Sequence, residues 1–574
     1  MFNLRQLLDL RLGGFRDNVG LLSALGGGML ANPAFAEVPE ARLLGAAITA
    51  AGVYTLGKKV VEAVRPRVFH SGVNIESHDG NDIDLSQDWG GMLIGFTVDG
   101  GKPVVVPWDQ WMRHCFIIGQ SGMGKTVLGE WLMYQQILRG GGMLWIDGKI
   151  DADNIAKLNA MCANAGRRHD LRVVNPDKPD QSNTYNPILF GDPDEVASRI
   201  ISLIPSAENN PGADHYRQSA NQGITTTVNS IQKAGYGYTF RDLSILLQSE
   251  GAMTHLASLL PAGSEVARMY GLFLERFQTI DRQGNKNLDL KKISDLFGGV
   301  GGRLFSFGEG NFGDITDTYN PEVRMYDDII RNRIIYIALP TMGKAEAAGQ
   351  FGKMAVGDYR SAVAKIQRLP VSERPWPPTL GFFDEAGSYF TPAFNRLLEQ
   401  GRSAQQALVP AVQTVANLDA VSPELREMVL GNTFTKIMFR VGTDETAEKF
   451  AEVLGTEKVM SLSVSAGGGG GENAAAGSGA KQSTSRNRSL SYSEREEEVH
   501  RVSMNDLKAL EMGEAVVATN GNRISHVKIP RVTFDKTFLK EVGPYEVNRL
   551  NTSYTKGLKL FEKFGKESRK GAKG

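Results

Sequence analysis

The octet Gly119-Gln120-Ser121-Gly122-Met123-Gly124-Lys125-Thr126 follows directly on the apolar run Cys115-Phe116-Ile117-Ile118 and opens an amphipathic stretch from Val127 to Leu138. A buried strand, a glycine-rich turn and a helix in that order leave few folds open. The G-x-x-x-x-G-K-[ST] spacing in this setting predicts a phosphate-binding loop. Its glycines let backbone N–H groups turn inward around phosphate oxygens, and the helix N-terminus adds its positive end. ATP is the expected ligand, with Lys125 reaching the β and γ phosphates and the Thr126 hydroxyl on Mg²⁺.

A second pattern far downstream completes the first. Thr379-Leu380-Gly381-Phe382-Phe383 is a mostly apolar strand that ends in Asp384-Glu385. Asp384 is expected in the Mg²⁺ shell and Glu385 beside the attacking water. A third strand, Ala407 to Val412, ends at Gln413, where an amide can hydrogen-bond a γ-phosphate or the water. Arg402 follows a glycine in Glu399-Gln400-Gly401-Arg402-Ser403, placed to act as an arginine finger on a neighbouring subunit's nucleotide. Arg440 is a second finger candidate. Asp147 and Lys149, at the end of the strand Met143 to Asp147, are candidates for contact with Mg²⁺ or with the helical subdomain, or equally for a structural role at the strand terminus.

With 574 residues the chain exceeds one simple core. Lys+Arg and Asp+Glu both number 64, so net charge points to no class of partner. From Lys556 onward seven Lys/Arg meet two Asp/Glu, which reads as a solvated basic tail. Cys115 and Cys162 are too few for a disulfide framework, and the eight histidines show no metal-ligand spacing.

Residues 1–65 differ from the rest. A basic amphipathic stretch ends at Arg16, then Val19 to Ala36 and Leu43 to Gly57 are uncharged, each short of the ~20 apolar residues of a full span. Arg11 and Arg16 on one side, and Lys58, Lys59, Arg65 and Arg67 on the other, place both flanks in the cytoplasm by the positive-inside rule. The expectation is a transmembrane helical hairpin. Ala34-Phe35-Ala36 resembles a signal-peptidase site, but cleavage there would export a nucleotide site to a compartment without ATP.

The expected fold class is α/β: a RecA-like P-loop nucleotide-binding core with a mostly parallel sheet, an inserted all-α subdomain and the N-terminal hairpin. The boundaries read as the hairpin at 1–65, the first half of the nucleotide-binding domain at 66–186, the all-α insertion at 187–321, the second half at 322–535, and the basic tail at 536–574. Within the second half, residues 461–488 are low-complexity and are expected to form a mobile Gly-rich loop.

Several ordered motifs together resemble the type IV secretion system coupling proteins of the TraG/TraD family, within the FtsK/HerA-like P-loop ATPases. They are Arg113-His114 before the phosphate-loop strand, Ile146-Asp147-Gly148-Lys149, Tyr185-Asn186-Pro187, Phe383-Asp384-Glu385-Ala386, Glu399 to Ser403, and Gln413-Thr414. The Gly-rich loop leans toward a DotL-like branch. The resemblance implies an inner (cytoplasmic) membrane ATPase with its bulk in the bacterial cytoplasm, forming a homo-hexameric ring. It implies recruitment of a relaxase with single-stranded DNA, or of effector proteins, for delivery to inner-membrane components of the secretion channel. Gly148 stands where that family has proline, and a long acidic C-terminal tail is lacking. The competing readings are a double-stranded DNA translocase of the FtsK/HerA kind and a nucleotide-gated docking platform without processive translocation.

Overall fold

The computed structural model describes residues 72–76, 83, 85, 89–204, 211–280, 286–469, 487–519, 523–549 and 555–564. The membrane hairpin expected over residues 1–65 lies outside them. Among the described residues no helix is long and apolar enough to cross a membrane.

One eleven-stranded sheet organises the molecule. Its strands in chain order are β1 (Gly91–Thr97), β2 (Pro103–Pro107), β3 (Cys115–Ile118), β4 (Met143–Asp147), β5 (Leu171–Val174), β6 (Ile334–Ala338), β7 (Thr379–Asp384), β8 (Gln406–Val412), β9 (Thr435–Met438), β10 (Glu514–Thr519) and β11 (Arg523–Lys528). Across the sheet they lie in the order β2-β1-β11-β10-β9-β3-β8-β7-β4-β6-β5. From β9 to β5 every neighbour is parallel. The remaining strands add antiparallel at the other edge, two of them, β1 and β2, from the stretch before the phosphate-loop strand.

The parallel strands read as continuous apolar runs because both faces are covered. Side chains alternate between two cores. Phe116, Ile118, Leu144, Ile146, Ile335 and Ile337 face one; Cys115, Ile117, Met143, Trp145, Ile334 and Tyr336 face the other. The first core continues without a break into the residues between β5 and β6. There Ile224, Val228 and Ile231 on one helix, and Phe297, Val300 and Leu304 on another, spaced three or four apart, are buried.

Those residues form helices including Pro193–Ile201, Pro211–Lys233, Glu265–Glu275 and Leu290–Gly308. Because β5 and β6 are adjacent partners, the excursion leaves and re-enters the sheet at one place. Asn186 pins its base, its side-chain amide donating to the Tyr238 carbonyl at 3.0 Å and the Thr318 carbonyl at 3.1 Å. The all-α expectation needs a correction: Gln278–Ile280 and Lys286–Leu288 pair as a small antiparallel ribbon. The helical spacing stops at Phe277, where Thr279 and Ile280 favour extended backbone.

Two further expectations are corrected. Strands Thr456–Gly469 and Asn487–His500 pair in register, so both ends of the Gly-rich segment 461–488 are extended rather than irregular. Ladder hydrogen bonds come from the backbone and need no apolar side chains. The basic tail also docks. Leu558 and Leu560 are buried, the Leu560 N–H donates to Asp242 at 2.8 Å, and the Lys559 N–H donates to the Tyr319 hydroxyl at 3.0 Å. Apolar residues between the lysines of that segment give it something to bury, which charge counting overlooks.

Candidate functional site

Strands β3, β8 and β7 are neighbours, and their C-terminal ends carry the three sequence patterns side by side. Crevices beyond the carboxyl ends of parallel strands are where such sheets hold ligands. Beyond β3, the loop Gly119–Gly124 is tied on both flanks: the Gly119 N–H donates to the Val412 carbonyl at 3.3 Å and the Gln120 N–H to the Arg440 carbonyl at 2.8 Å. Gly122 (φ +80°) and Gly124 (φ +122°) lie in backbone regions that side chains avoid. A Cβ on Gly119 would come within 2.5 Å of the Phe439 Cβ. Gly124 caps helix α1 (Lys125–Leu138), whose first turn carries no acidic residue to neutralise its positive end.

Lys125 is 7 % exposed. Its ammonium donates to the Gly119 carbonyl at 2.5 Å and the Gln120 carbonyl at 3.3 Å, folded back across the loop. Burial draws its pKa down, against the charges of Asp384 and Glu385. Thr126 is exposed on the next position, open to solvent at the mouth.

Asp384, at the end of β7, is buried, and desolvation together with the neighbouring Asp147 and Glu385 pushes its carboxyl up to about 7. The Asp147 carboxylate is held by the Asn154 amide at 2.9 Å, the Tyr336 hydroxyl at 2.8 Å and the Lys149 N–H at 2.9 Å. Asp147 and Glu385 thus raise the Asp384 carboxyl, and Lys125 opposes them. Glu385 sits at φ +52°, which lifts it out of the strand direction. Its carboxylate accepts a 2.6 Å hydrogen bond from the Gln413 side-chain amide. Tyr389 stitches the two acidic strand ends together, its hydroxyl donating toward the Asp384 carbonyl at 2.9 Å and the Ile146 carbonyl at 3.2 Å.

Gly148 explains its own identity by close approach. A Cβ there would lie 2.6 Å from the Glu385 Cβ and 3.1 Å from the Asp384 carbonyl oxygen. Gly148→Ala is therefore expected to displace Glu385, lowering nucleotide turnover by about 10–100-fold while nucleotide affinity stays near wild type. Steady-state turnover beside equilibrium nucleotide binding checks both halves.

Arg402 lies elsewhere. It precedes β8 whereas Gln413 follows it, and that strand of seven residues separates them by about 20 Å. Its side chain is exposed, outside the phosphate loop of its own chain. Arg440 is also exposed, but its backbone flanks the loop of the same chain.

His114 anchors the segment before Arg402. Its Nε2 donates to the Leu398 carbonyl at 2.9 Å, and its Nδ1 accepts from the Leu408 N–H at 3.2 Å, which fixes a neutral ring. Burial, helped by the Arg402 charge, lowers its pKa to about 4. The unfolded chain takes this proton near pH 6.5, so the folded state loses stability as pH falls from about 6.5 to 4, by about 3 kcal/mol in all. His114→Asn, which keeps a residue tolerant of φ +71°, should be less stable than wild type at pH 7. The difference in unfolding temperature should narrow toward pH 5.

Asp147 was legible as a strand-end acid. Its partner Tyr336 was not, because it sits inside an uninterrupted apolar run, and Tyr389 follows no motif.

Residues 378–511 match the family model described as the TraM recognition site of TraD and TraG. The chain is similar to the type 4 coupling protein DotL of Legionella pneumophila, with 23 % identity over 406 residues, 60 % of this chain and 50 % of the relative. It thus spans about half the length of that curated relative. The bacterial conjugative coupling protein TrwBdeltaN70, unbound, shares the fold at a TM-score of 0.53, with 18 % identity across 84 % of this chain and 96 % of that one. TrwB in complex with ADP and Mg²⁺ superposes at a TM-score of 0.51, with 17 % identity across 83 % of this chain and 96 % of that one. Matched segment, relative and fold agree, and the resemblance of this chain to the type IV coupling proteins is borne out.

Proposed function

We propose that this chain is an ATP-driven coupling protein that recruits a relaxase with its single-stranded DNA, or effector proteins, and delivers them to a type IV secretion channel at the bacterial inner membrane. The observation that carries the reading is the meeting of Lys125, Asp384, Glu385 and Gln413 at the ends of three adjacent parallel strands, while Arg402 faces outward at the opposite end. Support for the coupling role comes from the matched TraM-recognition segment and from the DotL relative. Support for nucleotide and Mg²⁺ comes from the glycine-rich loop with its buried Lys125 and from the TrwB complex with ADP and Mg²⁺.

In this reading the N–H groups of Gly119 to Thr126 and the Lys125 ammonium hold the ATP phosphates. Thr126 and Asp384 are the Mg²⁺ ligands. The ion, when bound, neutralises phosphate charge. Glu385 orients a water and takes its proton as the oxygen bonds the γ-phosphorus, and the bond to the β–γ bridging oxygen breaks to leave ADP and phosphate. Gln413, already bonded to Glu385, transmits the state of that carboxylate to β8. Arg402 completes the charge of a neighbouring subunit's site, which makes a homo-hexameric ring the working form. The transmembrane hairpin at 1–65 holds that ring at the membrane.

Mixing tests the shared site. Arg402→Ala and Glu385→Gln proteins should each be nearly inactive alone, yet recover part of the turnover when combined, since some interfaces then pair an intact finger with an intact Glu385. Turnover in mixtures no higher than the sum of the two proteins would rule out a finger acting between subunits.

A further inference from the structure

Behind the turn that carries Glu385 opens a cleft of about 470 Å³, between the helices Pro193–Ile201 and Pro211–Lys233 that follow β5, the helix Ala345–Gln367 that follows β6, and the segment Gly387–Phe394. It is separate from the phosphate loop, none of whose residues line it. Four cations line it, Arg199, Arg217, Lys353 and Arg360, and no carboxylate does. Arg199 is 1 % exposed and is neutralised by Asp358 at 2.9 Å, yet its Nε has no hydrogen-bond partner. The other three make no ion pair among the described residues. Burial and the Arg199 charge press the Arg360 guanidinium below its ordinary value, offset in part by Glu195. Three cations with no ion pair among the described residues, held beside Arg199 in one cleft that no carboxylate lines, suit an anion of more than one charge. Ser388 and Thr391 add hydroxyls to the same wall.

The geometry points to a second, phosphate-binding site in this cleft, distinct from the nucleotide loop, for a ligand bearing several phosphate charges. Guanidinium groups suit phosphate because their planar forks donate paired hydrogen bonds. A volume of this size admits a small phosphorylated molecule or a short stretch of phosphodiester backbone. An occupant would also touch the catalytic turn, since the Ser388 hydroxyl donates to the Glu385 carbonyl at 2.8 Å. That last consequence rests on the ATPase reading; the binding site does not.

The test titrates inorganic tripolyphosphate, without Mg²⁺, into the full-length chain by calorimetry. Two classes of site are expected. Lys125→Ala should remove the nucleotide-loop class and leave the cleft class. Arg217→Gln/Arg360→Gln should weaken the cleft class by about tenfold or more and leave the other. Lys353→Gln, altered at a half-buried position, provides an independent variant, and thermal unfolding verifies that each protein is folded. If tripolyphosphate binds equally in the wild type and in both cleft variants, the site does not exist. If Lys125→Ala changes nothing while the cleft variants lose binding, the cleft stands and the nucleotide-loop reading falls. Competition by a ten-nucleotide oligothymidylate in the Lys125→Ala protein separates the sources. Displacement assigns the cleft to a nucleic-acid backbone, and its absence to a diffusible phosphate ligand.

Discussion

Lys125→Ala is expected to lower ATP turnover by more than about 100-fold and to abolish cargo transfer in cells, with the protein still folded and expressed. The size of the effect follows from where the ammonium sits. It is almost wholly buried, and its hydrogen bonds reach only the carbonyls of the loop that it spans. Burial penalises that charge, and Asp384 and Glu385 sustain it from across the crevice. A cation kept under those conditions contributes little to folding that alanine, a better helix former, would not replace. What alanine cannot replace is a positive charge at the loop proposed to hold the phosphates, where the burial of Lys125 strengthens it. Turnover, nucleotide binding and circular dichroism of the variant, measured together, separate lost chemistry from lost fold.

Glu385→Gln should lower turnover by a similar factor, more than about 100-fold, while nucleotide affinity remains near wild type. Glu385 takes no part in the phosphate loop; its contacts are the Gln413 amide and its own turn. Glutamine has the same shape and can keep a hydrogen bond to Gln413, but it cannot accept a proton from water. The expected signature is a protein that binds ATP and retains it. An equal loss of binding and turnover would instead make Glu385 part of the nucleotide cradle.

Much of this arrangement was legible because its signals are local. The phosphate loop, the Asp384-Glu385 strand end and Gln413 each lie at the boundary of an apolar run, where period and turn chemistry are strongest. The parallel sheet followed from strands and helices alternating along the chain. Less legible was whatever depends on partners distant in sequence. Tyr336 looks like any other residue of its strand until Asp147 is beside it. His114 precedes a strand without announcing that it closes against Leu398 and Leu408. The basic tail read as solvated because charge dominates its composition, yet Leu558 and Leu560 find a buried place against helices that lie more than 200 residues earlier in the chain. The paired strands bordering the Gly-rich segment escaped because backbone ladders leave little trace in composition.

The most direct test of the coupling-ATPase account is the rate of ATP hydrolysis by the full-length chain, with no DNA, with single-stranded DNA and with duplex DNA. The account predicts Mg²⁺-dependent turnover that single strands raise most and that Lys125→Ala removes. Turnover raised by duplex DNA alone, or no turnover under any of the three conditions, would contradict it.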